Sequence, residues 1–203
     1  NVVKSSFSGK RALVTAGPTV EVIDPVRYVS NRSSGKMGYA IAEALRDKGA
    51  IVTLISGPTH LSLPEGINVV KVESADDMFQ AVTERFAKQD IVIKAAAVSD
   101  YTPMDILEHK LKKQEGGLSV QFKRTKDILK YLGENKTHQY LVGFAAETQN
   151  IEQYALDKLK RKNADVIISN NVGDTSIGFS SDDNELTMHF KNNEKVNIKK
   201  GKK

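Results

Sequence analysis

Five short, nearly continuous apolar runs constrain this chain more than any other feature: Lys10–Ala16, Ile51–Ile55, Asp90–Ala96, Tyr140–Phe144 and Ala164–Ser169. Runs of that length without strict alternation are the mark of strands buried on both faces. Helix-period segments separate most of them. Met37–Lys48 sets Met37, Ile41, Ala44 and Leu45 on one stripe, with Gly49 where a left-handed cap would end it. Ser74 and Asp77 form a capping-box pattern ahead of a helix to about Lys88. Thr125 reads as the cap of a helix from Lys126 to about Gly133, and Asn150 as the cap of another through Asn163. Ile67–Val72 is a further strand. The alternation predicts an α/β fold, a doubly wound and mainly parallel sheet. To this the sequence adds a long loop over 102–117, an alternating run at Leu118–Phe122, and a C-terminal hairpin of Glu185–Phe190 and Lys195–Ile198 about Asn192 and Asn193. Residues 1–9 read as a linker arriving from something upstream, 10–198 as the domain, and 199–203 as a basic tail.

Several function classes are excluded early. The chain has no cysteine, which removes disulfides, thiolate metal sites and Cys nucleophiles, and its four scattered histidines have no metal-ligand spacing. No apolar run approaches the ~20 residues that cross a bilayer. The expectation is a cytoplasmic protein with no membrane partner. Much of the net charge of +5 sits in the tail and in the clusters His109–Lys113 and Lys158–Lys162. No aromatic residues are interleaved with those lysines as base stacking requires, so no nucleic-acid partner is expected.

In a doubly wound sheet the ligand sits beyond the carboxyl ends of the strands. That rule sets Ala16-Gly17-Pro18-Thr19, Ser56-Gly57 and Ser99-Asp100 on one edge, facing one crevice. The stretch Thr15–Gly38 leaves the first strand, passes a Gly-Pro and an Asp-Pro turn, and enters a helix through Ser33-Ser34-Gly35-Lys36. Gly17, Ser33, Ser34 and Gly35 are phosphate-loop candidates, because small residues before a helix offer N–H donors to an anion; an ordinary loop is the alternative. The stretch is no dinucleotide fingerprint, since about 15 residues separate Gly17 from Ser33 and Ser56 stands where a ribose-binding acid belongs. It is no Walker loop either, since Met37 follows Lys36. Asn31, beside Arg27, Arg32, Ser33 and Ser34, either adopts a turn or polarises a substrate carbonyl. Asp100 is either a plain helix or turn cap, or a group that accepts from a sugar or base or holds a metal-bound phosphate. Lys158 and Lys162 repel each other on one helix face unless they share an anion; a solvent-facing basic helix is the alternative.

The segments TAGPT, IDPVRYVSNRSSGKMG, AAAVSDY, KLKK, VGFAAET and KRKNADVIISNNV resemble phosphopantothenoylcysteine synthetase in order and spacing over about residues 8–190. More narrowly they resemble the synthetase half of the bacterial bifunctional decarboxylase/synthetase of coenzyme A biosynthesis. The resemblance implies a Rossmann-like core with an added dimerisation segment, and a decarboxylase domain upstream of the linker. It implies a ligase that joins 4'-phosphopantothenate to L-cysteine through an acyl-cytidylate made from CTP, with Mg²⁺ arriving on the triphosphate and no protein metal ligand named. It assigns Asn31 to the acyl carbonyl and Lys110 to a mobile loop over the nucleotide. Lys94, Ala95, Ala96, Asp100, Lys126, Asp127, Ile128, Leu129, Phe144, Lys158 and Lys162 fall on its CTP-binding positions, although the family often has Pro where this chain has Lys126. A homodimer is implied too, with residues 97–122 and the terminal hairpin at its interface. A nicotinamide-dependent oxidoreductase and a non-catalytic nucleotide-binding module are the rival expectations; the missing fingerprint counts against the first.

Overall fold

The computed structural model describes residues 6–113, 116–147, 150–171 and 183–202. In chain order the elements are β1 (Arg11–Ala16), β2 (Val20–Val22), β3 (Tyr28–Ser30), α1 (Lys36–Asp47), β4 (Ile51–Ser56), β5 (Asn68–Lys71), α2 (Ala75–Phe86), β6 (Ile91–Lys94), β7 (Tyr101–Pro103), β8 (Phe122–Arg124), α3 (Ile128–Asn135), β9 (Tyr140–Glu147), α4 (Ile151–Arg161), β10 (Val166–Asn171), β11 (Asp183–Phe190) and β12 (Lys195–Lys202). Eight strands form one sheet in the order β12-β11-β10-β9-β6-β1-β4-β5. The six from β10 to β5 run parallel, and the β11–β12 hairpin continues the sheet antiparallel.

The two sides of β1 show why its run carries no polar alternation. Ala12, Val14 and Ala16 enter a cluster with Tyr39, Ala42 and Leu45 of α1, while Leu13 enters the opposite cluster with Met78 and Val82 of α2 and Leu132 of α3. A central strand with helices on both faces has no solvent side for a polar residue to occupy. On α1 the buried face is Gly38, Tyr39, Ala42 and Leu45, one step away from the predicted stripe. Ala44 is exposed and Met37 lines a cleft. Tyr39 takes the core position because its ring packs inward while its hydroxyl meets Ser56 Oγ at 3.1 Å.

Four boundaries differ from the sequence reading. The Thr15–Gly38 stretch is not a string of turns: Val20–Val22 and Tyr28–Ser30 pair as an antiparallel ribbon. The alternation at Leu118–Phe122 makes a strand only from Phe122 onward, because its partner is the three-residue β7 and the ladder's last rung is Met104 N–H to Gln121 O. The cap of α3 is Asp127, whose carboxylate accepts from Lys130 N at 2.9 Å. Thr125 is instead engaged with the sheet edge, donating its hydroxyl to Ser99 O at 2.6 Å. Finally, β12 runs on to Lys202 through residues read as a tail. The capping box of Ser74 and Asp77 is present in full. Asn150 begins α4, but in the left-handed conformation and without a side-chain cap. Thr148 and Val172 of the quoted segments lie outside the described residues, as do residues 1–5 of the predicted linker.

Candidate functional site

The strand order reverses between β1 and β6: from β1 the chain moves out to β4 and β5, then returns to β6 on the other side. A crevice opens at the carboxyl edge of such a switch point because the connections leave in opposite directions. Here it has two lobes. One, of about 370 Å³, is lined by Asn31, Ser33–Gly38, Lys94–Val98, Asp100, Phe144, Lys158 and Asn170. The other, of about 630 Å³, runs past Arg124–Lys130, Tyr154, Arg161 and Lys162. Lys94, Val98, Asp100 and Lys158 belong to both.

Local chemistry fixes the rim. Asn31 Nδ2 donates to Ala97 O at 2.9 Å, which ties the end of the β2–β3 ribbon to the segment after β6. That segment is held by buried hydroxyls: Thr15 Oγ1 accepts from Ala96 N at 3.1 Å and Thr19 Oγ1 from Ser99 N at 3.0 Å. Gly35 is the N-cap of α1 at φ 80°, a conformation that favours glycine, and as a glycine it offers the first turn no side-chain cap of its own. A helix start lacking a side-chain cap, beside Ser33 and Ser34, suits an anion.

The charges come from distant segments. Lys158 Nζ donates to Phe144 O at 2.7 Å, and Lys162 pairs with the Asp127 carboxylate at the α3 cap. Burial raises Asp127, but Lys162, the Lys130 N–H and the Lys94 charge outweigh it and hold the carboxyl below its usual range. Lys94, half-buried at the end of β6, is pushed down from 10.5 to about 8, first by desolvation and then by the Lys158 charge, with Asp127 and Asp100 opposing. Two carboxylates thus face three lysines.

Most of the predicted residues meet here, and several do not contribute as expected. Gly17 lies outside the cleft lining; it packs against Gly35 and Thr59. Ser56 and Gly57 line a separate depression with Tyr39 and Thr59, because Gly57 is pressed so closely on the Pro18 carbonyl that a Cβ there would lie 1.7 Å from the oxygen. Lys126 lines the second lobe, yet its ammonium turns away to Asp76, at 2.8 Å, over the Phe79 ring. Ile128 and Leu129 line the second lobe while being buried in the core. Lys110 is exposed and lines neither lobe. Its neighbour Leu111 is gripped at both backbone groups: its N–H donates to Asp24 Oδ2, and its carbonyl accepts from Arg27 Nη1 and Nη2 at 3.3 Å. Arg27 is therefore a structural partner of buried Asp24 rather than a lining group. The sequence reading missed Asn170, whose signal was its place at the carboxyl end of a buried strand, and the threonine latches, which left no separable signal.

Residues 7–203 match the family model described as the DNA/pantothenate metabolism flavoprotein C-terminal domain. The chain is 54% identical over 190 residues to the coenzyme A biosynthesis bifunctional protein CoaBC of Bacillus subtilis (strain 168), covering 93% of this chain and 47% of that protein. It is 48% identical over 193 residues to the CoaBC of Haemophilus influenzae, covering 95% and 48%. It thus spans about half the length of these curated relatives. A crystal structure of the C-terminal domain of CoaBC superposes with a TM-score of 0.82 at 47% identity, covering 96% of this chain and 88% of that one. The family model matches nearly the whole chain, and the relatives agree with it: this chain belongs to the DNA/pantothenate metabolism flavoprotein C-terminal domain family.

Proposed function

We propose that this domain is a phosphopantothenate–cysteine ligase of coenzyme A biosynthesis, one that activates the acid with CTP. The observation that carries the reading is the convergence of Lys94, Lys158, Lys162 and Asn31 with the start of α1 on one switch-point cleft. A carboxylate is a poor electrophile towards an amine. In the first step its oxygen bonds to the α phosphorus of CTP while the bond to pyrophosphate breaks. Negative charge gathers on the phosphoryl oxygens, and cations placed beforehand stabilise it without reorganising. The three lysines and the first turn of α1 supply that field. In the second step the cysteine amine attacks the acyl carbon and CMP leaves with the bonding electrons. A carboxamide carries two hydrogens. One of those on Asn31 is on Ala97 O, and the other serves the developing oxyanion.

The main chain at 126–129 lines the lobe assigned to the nucleotide, and in this reading Lys110 reaches it when the loop moves off Asp24 and Arg27. Among the described residues no group of three or more His, Cys, Asp or Glu comes together. Mg²⁺ fits such a site, since it is satisfied by one or two carboxylates plus phosphate oxygens; Asp100 and Asp127 are the carboxylates to hand, and the ion would neutralise the departing pyrophosphate. A coupled pyrophosphate assay tests the reading. Release from CTP, exceeding that from ATP, is expected only when phosphopantothenate is present, without need of cysteine. Asn31→Asp should retain that release and lose amide formation, whereas Lys110→Ala should slow the release itself. Pyrophosphate formed without the acid, or full turnover by Asn31→Asp, would overturn it.

A further inference from the structure

Lys94 occupies the middle of the cleft floor: Thr15 of β1 pairs with it on one side and Gly143 of β9 on the other. Its ammonium has a poor partner in the Ala96 carbonyl at 3.4 Å, a long contact for an N–H donor. The charged groups around it come from three elements. Lys158 and Lys162 of α4 repel it, while Asp127 at the α3 cap and Asp100 after β6 attract it, and desolvation exceeds each of these. Lys162 already engages Asp127, which weakens that carboxylate's hold on Lys94. The arrangement keeps a titratable cation poorly compensated at the one place where both lobes meet.

We propose that Lys94 is a proton-linked receptor for phosphate, so that a nucleoside triphosphate enters the cleft together with a proton that the Lys94 amine takes up. The proposal rests on the reading of this cleft as a nucleotide site and adds how its charge is set. Without the anion, burial and the two α4 lysines shift Lys94 towards its neutral form, which is populated from about pH 8 upward. Phosphate oxygens reverse that balance by bringing opposite charge within reach of all three lysines. The linkage is reciprocal: a ligand that raises a group's proton affinity binds less tightly as that proton is withdrawn. Affinity for the triphosphate therefore falls as pH rises above about 8, and it is flat below about 7.

Titration calorimetry of the 203-residue chain with CTP and Mg²⁺, in two buffers of different ionisation enthalpy, reads the proton directly. At pH 8 about half of the Lys94 population is neutral, so uptake of about half a proton per CTP is expected, falling towards zero at pH 6.5. The phosphates lose their last proton near pH 6, so at pH 8 the nucleotide does not account for the uptake. Arginine keeps the charge and does not titrate in this range. Lys94→Arg is accordingly expected to bind CTP with no uptake. Wild-type binding without uptake, or undiminished uptake in Lys94→Arg, overturns the proposal while leaving the nucleotide reading intact. Absence of CTP binding in the wild type overturns both. Should Lys94→Arg fail to fold, the wild-type affinity between pH 7 and pH 9.5 decides alone: a fall of up to tenfold per pH unit above 8 is expected, and a flat profile refutes it.

Discussion

Replacing Lys94 by methionine should stabilise the protein near neutral pH, contrary to the usual effect of altering a half-buried residue. Methionine keeps the length of the stem and removes the charge, and among the described residues the only hydrogen bond lost is the 3.4 Å contact to Ala96 O. A fall from 10.5 to about 8 corresponds to about 3 kcal/mol at 1.36 kcal/mol per pH unit. Lys94 remains partly solvated, so the measurable share is smaller, on the order of 1–2 kcal/mol. The sign follows from proton counts. Between about pH 8 and 10.5 the unfolded chain holds a proton on this lysine that the folded chain does not, so folding becomes more favourable as pH rises. The advantage of Lys94→Met is thus full below about 8 and vanishes towards 10.5. Urea unfolding of both proteins at pH 7, 8, 9 and 10 measures it, and the difference between them cancels the other titrating groups. A methionine variant less stable than wild type at pH 7, or a difference independent of pH, would refute the charge balance assigned to the cleft.

Gly38→Ala would bring a Cβ within 2.5 Å of the Ala16 Cβ, where α1 crosses the end of β1; overpacking of that kind costs about 1–3 kcal/mol. The shift of α1 should also weaken CTP binding, so a thermal melt and a binding titration should both respond, and an unchanged affinity would separate the helix start from the anion site. His189 is buried with its Nε2 2.9 Å from Ser169 Oγ, and its pKa lies below 6.5, first through burial and also through the Lys195 charge, with Glu152 opposing. Because the unfolded chain takes up that proton more readily, stability is full above 6.5 and declines as pH falls through that value. His189→Gln should flatten the decline in unfolding measurements between pH 7 and 5, and an identical decline in the variant would acquit His189.

The parallel core was legible because burial on both faces leaves a continuous apolar run, and Leu13 and Val14, which face opposite helices, carry that signal on adjacent positions. The ribbon of β2 and β3 was not. Each strand has three residues, Tyr28 and Val29 are exposed, and one proline precedes the ribbon while another lies between its strands, so no period of two has room to repeat. The cap of α3 was misplaced for a similar reason: Thr125 and Asp127 both suit a cap by composition, and only the tertiary partner of Thr125, Ser99 O, separates them. At the site, Asn31 and the lysines of α4 stood out as polar groups near turn or helix signals. Which ammonium turns inward was not legible, because Lys126 and Lys158 are alike in sequence and differ only in having Asp76 or Phe144 O within reach.

The glycines of the first loop show how the start of α1 and Asn31 come to share one cleft. A fold that bound phosphate directly after β1 would use Gly17 for close backbone approach. Here Gly17 packs on Gly35, and the chain makes a whole ribbon before α1 begins. The detour separates two tasks that a short loop would have to combine. Ser33–Gly38 brings the start of α1 to the cleft, and Asn31, at the ribbon's end, is pinned to the Ala97 carbonyl on the opposite rim. The helix start and the Asn31 amide then stand in one cavity on different supports: α1 rests on β1, and the ribbon is braced by Glu21 to the Ala75 N–H and by Asp24 to Leu111. In the proposed ligase reading that division serves two reacting centres, the α phosphorus of the nucleotide in the first step and the acyl carbon of the activated acid in the second.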